Sequence, residues 1–358
     1  MTAVVRRICW MGAAVLVSAC LVAPGNQDEA MPETLESVRT KHDLPAMGAA
    51  LITKDKVEVF VAGYRKRGGE ERAQKSDRWH LGSNTKAMTA TLAAVLIEKG
   101  VLRWETTIGE VFPDAREEYR NVTIEMLLSH RGGFPPPEGT APKGMTLLGV
   151  HNLPGTPREG RAEYAKRALA QDPHVKPGTQ TVYSNMGYIL AGALIEKKVG
   201  ASWEDLMRTH IFEPLGMKSA GFGPMIEPWP HTAGGQALPP SRLADNPPVL
   251  GPAGTVHASL EDYAKFLRVH LGFSDLVKPE TLRRLHSPPG GESYALGWGV
   301  VERDWAGGKA LTHAGSNTLN YAVAWLAPER GFAVVVVTNQ GGDKAAQACD
   351  SVAAALIR

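Results

Sequence analysis

Ser83, Asn84, Thr85 and Lys86 form a Ser-x-x-Lys segment at the start of a run of helical periodicity from Thr85 to Lys99. Three residues along a helix bring two side chains onto one face, so the Lys86 amine would stand beside the Ser83 hydroxyl, close enough to exchange a proton. A serine hydroxyl attacks poorly until a neighbour takes its proton, and a lysine can do so once burial or nearby positive charge lowers its pKa. Gly82 allows a sharp backbone turn just before the serine. The helix N-terminus adds N–H groups that favour negative charge developing on Ser83. About one such spacing is expected by chance in a chain of this length, so other segments must support it.

Tyr183, Ser184 and Asn185 supply a Tyr-x-Asn directly before a second periodic run, Met186 to Val199. A phenol beside a cationic lysine can share or relay its proton, and an asparagine amide can orient that lysine and grip a substrate amide. Tyr119, Arg120 and Asn121 spell the same pattern, but they follow the charged run Asp114 to Glu118, which reads as solvated surface. His313, Ala314 and Gly315 form a third triplet on a strand-like segment. His-x-Gly also occurs at His80, His130 and His270, so only the strand setting and the order single out His313. Taken singly, these residues read as a helix cap, a solvated lysine, a packed aromatic and a turn asparagine. Jointly, three matches in order favour chemistry. His130 reads as a structural hydrogen-bonding residue near the site, and His231 and His257 as surface or turn residues.

In this order the three segments resemble the serine β-lactamase and D-alanyl-D-alanine carboxypeptidase (penicillin-binding-protein-like) superfamily, closest to its class C-like branch. Leu127 to Phe134 (LLSHRGGF), Pro214 to Met217 (PLGM), Gly251 to Ser259 (GPAGTVHAS) and Leu296 to Val300 (LGWGV) resemble that branch as well. The resemblance covers nearly the whole mature chain. It implies a serine hydrolase acting through an acyl-enzyme on an amide or ester, such as a D-amino-acid peptide, a cell-wall fragment or a β-lactam, with no cofactor and no metal. It further implies Ser83 as nucleophile, Lys86 and Tyr183 as the base pair, and Asn185 on the substrate's amide carbonyl. The backbone N–H groups of Ser83 and Ser316 would form the oxyanion hole, with His313 and Gly315 lining the substrate side.

One departure matters. Many β-lactamases carry Lys-Thr-Gly where this chain has His313, Ala314 and Gly315, so a permanent charge and a hydroxyl suited to a carboxylate are missing. Esterases and peptidases of the superfamily can carry His there. A carboxylesterase on the same scaffold and a non-catalytic wall-binding protein therefore stand as alternatives.

The elements that must position these residues follow from pattern. Pro32 to His42 has helical character, and Met47 to Ala62 reads as two short strands turning at Lys54 to Lys56. Ser202 looks like the cap of a helix ended by Pro214, and Gly221 to Pro252 reads as ordered loop around a pocket mouth. Ala295 to Glu302, Leu311 to His313, Tyr321 to Leu326 and Phe332 to Thr338 are strand-like, and a last helix starts near Asp343. Strands at both ends predict an α/β (α+β) fold, with an antiparallel sheet built from the two chain ends, helices on its faces and a mostly helical inserted subdomain. The sheet part is expected at about 31–80 and 295–358, the helical part at about 81–294. The resemblance makes this β-lactamase/transpeptidase-like.

At the N-terminus, Arg6 and Arg7 precede an apolar run from Ile8 to Ala19, and Val17 to Cys20 resembles a lipobox. The expectation is a signal peptide at 1–19, a lipid-anchored spacer at 20–30 with lipid on Cys20, and an exported, cell-envelope or periplasmic lipoprotein. An ordinary signal peptide cleaved after Ala19 satisfies the same residues. Cys349, left without an intrachain partner, reads as a small buried residue. The net charge of +2 is spread along 358 residues and shows no basic stripe, so nucleic acid is not an expected partner. The expected partners are a small-molecule or peptide substrate, with peptidoglycan as a candidate, and the membrane through the lipid on Cys20.

Overall fold

Four consecutive valines in Phe332–Thr338 leave no polar face, so this strand must be covered on both sides. The computed structural model, which describes residues 27–357, places it inside a six-stranded antiparallel sheet. In chain order the strands are β1 (Ala46–Thr53), β2 (Val57–Gly63), β3 (Trp79–His80), β4 (Gly221–Phe222), β5 (Val256–Ala258), β6 (Gly299–Arg303), β7 (Gly308–Ser316), β8 (Tyr321–Ala327) and β9 (Phe332–Thr338). The large sheet runs β2-β1-β9-β8-β7-β6, and β3-β5-β4 form a small second sheet. The two chain ends meet where β1 pairs with β9, Ala49 opposite Val336.

Helix α1 (Gln27–Lys41) and the C-terminal helix Asp343–Leu356 cover one face. There Val334 and Val336 pack with Leu35, Met47, Ala49, Val352 and the free thiol of Cys349, which is fully buried. Val335 and Val337 point the other way, into a core shared with Trp79, Ile52 and helix α2 (Thr85–Glu98). The sheet built from both chain ends, with helices on its faces and a mostly helical middle, is therefore the observed architecture.

Several local expectations change. The strand expected at Leu311 to His313 extends to Gly308–Ser316, because Lys309 pairs with Glu302 and Ser316 with Tyr321. The strand expected from Ala295 starts only at Gly299, since Gly297 has φ +87° and presses against the backbone of α2 at Ala87. Ser202 does cap a helix, but after Trp203–Met207 it widens into a π-turn, Arg208–Phe212. Strand β4 lies within the expected Gly221 to Pro252 loop, and β3 and β5, two and three residues long, are too short to show a period. His231 and His257 are buried rather than exposed, held by Asn339 O at 2.9 Å and Gly223 O at 3.1 Å from their Nδ1 atoms. Tyr119, expected on solvated surface, is buried and stacks on Phe134 at 4.8 Å. The signal segment and Cys20 lie outside the described residues.

The helical part is pinned by a buried cation. Arg161, on helix α3 (Pro157–Leu169), is fully enclosed and bonds Glu196 at 2.6 Å, Glu204 at 2.6 Å and the carbonyl of Pro248 at 3.1 Å. Glu196 belongs to helix α4 (Asn185–Val199), and Pro248 leads into the Gly251–Gly254 turn. Removing the guanidinium would strand two carboxylates out of water, so Arg161→Ala is expected to lose about 3–5 kcal/mol of stability. Urea denaturation should show this; a midpoint shift equivalent to less than about 1 kcal/mol would contradict it.

Candidate active site

Helix α2 is buried on every side from Thr85 to Leu96, so a lysine on it has no route to water. Lys86 is completely enclosed, and its Nζ lies 2.9 Å from Ser83 Oγ, 2.8 Å from Asn185 Oδ1 and 2.9 Å from the carbonyl oxygen of Ala253. Burial pushes its pKa well below the ordinary lysine value. A neutral amine has two N–H donors and one lone pair. Two carbonyl-type oxygens can take the donors, which leaves the lone pair facing the Ser83 hydroxyl. The arrangement can therefore accept the serine proton.

Ser83 does not lie in α2 itself but in the tight 3-10 turn Gly82–Asn84 ahead of it. Gly82 has φ +51°, and a Cβ there would stand 2.6 Å from the backbone carbon of Gly315. A Cβ on Gly315 would in turn stand 2.5 Å from Ser83 N. Turn and strand thus interlock through two residues without side chains, and the backbone amides of Ser83 and Ser316 are brought side by side at the end of β7. Two N–H groups so placed can stabilise an oxyanion.

Tyr183 and Asn185 reach the site because Ser184 caps α4, accepting from Gly187 N at 3.4 Å, while its own N–H donates to His130 Nδ1 at 3.1 Å. Lys86 Nζ lies 4.8 Å from the centre of the Tyr183 ring. Burial raises the phenol's pKa, outweighing the nearby Ser83 hydroxyl, which acts to lower it, so Tyr183 keeps its proton. Asn185 spends its oxygen on Lys86 and one N–H on Thr140 Oγ1 at 3.4 Å.

His313 is buried on β7, with Nδ1 2.7 Å from Ala314 O and Nε2 3.0 Å from the hydroxyl of Tyr294. Burial, then the nearby Lys86, drives its pKa down to about 3. The imidazole is therefore neutral, with both nitrogens engaged inside the protein, and is poorly suited to hold a substrate carboxylate as a cation.

Sequence reading missed Tyr294, which has no motif of its own, and the Ala253 carbonyl, although the surrounding GPAGTVHAS phrase was a visible signal. His130 has the structural role expected of it. Its backbone adopts φ +60°, and its ring packs against Tyr183, Tyr188 and Tyr294 with centroids 4.3, 5.1 and 4.5 Å away. Among the described residues no group of three or more His, Cys, Asp or Glu could hold a metal ion.

The profile of the Beta-lactamase family matches residues 29–357. The chain is 26% identical over 337 residues to penicillin-binding protein 4 of Amycolatopsis lactamdurans, covering 86% of this chain and 84% of that one. It is 26% identical over 344 residues to the unguisins hydrolase ungD' of Aspergillus campestris, with 87% of this chain matched but only 61% of that longer relative. Among solved structures, the octameric penicillin-binding protein homologue from Pyrococcus abyssi superposes with a TM-score of 0.74 at 23% identity, over 93% of this chain and 77% of that one. With the family profile running through Ser83, Lys86 and nearly all of the described residues, the chain belongs to the beta-lactamase family of serine hydrolases.

Proposed function

We propose that the protein cleaves an amide or ester of a D-amino-acid peptide or cell-wall fragment through an acyl-enzyme on Ser83. The observation that carries this reading is the contact of the fully buried Lys86 Nζ with Ser83 Oγ at 2.9 Å. Neutral Lys86 takes the serine proton as Oγ bonds to the carbonyl carbon, and the amides of Ser83 and Ser316 meet the developing oxyanion. Tyr183, protonated, donates to the leaving group as the carbon–heteroatom bond breaks, and Lys86 returns a proton to it. Water then releases the acyl group by the same path in reverse. The relatives named a penicillin-binding protein and a hydrolase of unguisins support the hydrolase reading.

A second reading, carboxylesterase action, is favoured by His313. Its neutral, internally bonded imidazole offers no fixed cation to a leaving group that carries a carboxylate.

Fluorophosphonate treatment followed by peptide mass spectrometry should place one adduct on Ser83, absent in Ser83→Ala; an unmodified Ser83, or full turnover by the alanine variant, would remove the proposal. Because the active amine is unprotonated and burial lowers its pKa, kcat/KM should rise with pH to a plateau whose midpoint lies below the ordinary lysine value of 10.5. Lys86→Arg, unable to give up its proton, should lower kcat by about 10²–10⁴-fold; a rate that falls with pH across this range would reverse the assignment. A panel of a short-chain nitrophenyl ester, an acyl-D-Ala-D-Ala peptide and its C-terminal amide separates the two substrate readings. The neutral amide should be cleaved at least as fast as the free acid, and a strong preference for the free acid would contradict the account of His313.

A further inference from the structure

The loop residue Asp245 belongs to none of the motifs, yet its side chain is 1% exposed. One oxygen, Oδ1, collects three contacts. It accepts from Asn246 N at 2.7 Å and from Asn317 Nδ2 at 3.0 Å, and it lies 2.7 Å from Nε2 of His80, whose side chain is fully enclosed. The other oxygen has no hydrogen-bond partner among the described residues, and the His80 contact is a close approach rather than a hydrogen bond.

Each contact leads to a different part of the chemistry. His80 Nδ1 accepts from the N–H of Gly82 at 3.1 Å, which leaves the imidazole proton on Nε2, the nitrogen 2.7 Å from Asp245 Oδ1. Gly82 is the residue before Ser83. Asn317 follows Ser316, and its Oδ1 accepts from Asn320 Nδ2 at 3.0 Å, while Asn320 O accepts from Ser316 Oγ at 2.6 Å. Asn246 Nδ2 donates to the carbonyl of Gly254 at 2.7 Å, one residue beyond the Ala253 carbonyl that meets Lys86. A single carboxylate oxygen thus ties together the nucleophile turn, the Ser316 corner and the segment facing the lysine.

We propose that Asp245, acting through His80, Asn317 and Asn246, is the positioning residue that holds the Ser83 and Ser316 amides and the Ala253 carbonyl in catalytic register. It touches neither substrate nor reacting atoms. Loss of the shared acceptor frees three backbone segments at once, and a displacement near 1 Å at reacting groups costs about 100-fold in rate. The role rests on Ser83 being the nucleophile.

The test measures kcat, KM and the second-order rate of fluorophosphonate labelling of Ser83 in the full chain, using the nitrophenyl ester. Asp245→Ala should lower kcat and the labelling rate by about 100-fold each, with KM within about twofold, a split that marks loss of interactions made in the transition state. Asp245→Asn keeps the accepting oxygen and should recover at least about tenfold of that loss. A folded Asp245→Ala with wild-type kcat and labelling rate, or an Asp245→Asn no better than the alanine variant, overturns the proposal. If Asp245→Ala does not fold, His80→Asn decides. It retains an acceptor for Gly82 N while cutting the link to Asp245, so kcat should fall about tenfold at unchanged KM, and an unchanged kcat refutes the role. A wild-type protein that is not labelled on Ser83 at all would instead refute the nucleophile assignment, so the two failures are distinguishable.

Discussion

An amine shut away from water, facing two carbonyl oxygens and one hydroxyl, is the constraint on which the rest of this molecule depends. Burying a charged ammonium is expensive, and the enclosure of Lys86 resolves that cost by lowering its pKa. The neutral form then needs acceptors for its N–H groups, which Asn185 and Ala253 provide from two other parts of the chain. Helix α4, the Gly251–Gly254 turn and helix α2 must therefore converge before the lysine can be accommodated. Arg161, which joins α3 and α4 to the approach of that turn, contributes to the convergence from outside the site.

The neighbouring aromatics extend the same low-polarity environment. Tyr183, Tyr188, Tyr294, His130 and His313 surround the amine with groups that keep neutral forms at ordinary pH. Such a shell makes the Ser83 hydroxyl the group whose proton the lysine is placed to take, and it leaves His313 as a hydrogen-bonding wall rather than a charged clamp. The difference from a Lys-Thr-Gly strand is thus one of charge as much as of shape.

Much of this was legible because the signals are local. The valine run of β9 and the polar cap Ser202 each act within a few residues. Ser83 and Lys86 share a helical turn, so their contact also followed from spacing. What escaped has no local signature. Strand β3 is two residues long and owes its form to pairing with β5, far away in sequence. Tyr294 sits beside His313 only because β7 and the loop before β6 come together. Tyr119 lies next to charged residues yet is drawn inward by stacking on Phe134, a contact that polarity along the chain does not encode.

The pairing of β1 with β9 carries a consequence for how the molecule is made. Ala49 finds its partner only when Val336 has emerged, so the central sheet stays incomplete until the whole helical middle has been synthesised. Contacts of such long sequence separation slow folding, and a nascent chain holding β1 and β2 presents an unpaired edge for most of its elongation. Vectorial folding from the first residue onward is therefore closed to this topology, and the Ser83–Lys86 contact is completed only as a late, all-at-once event.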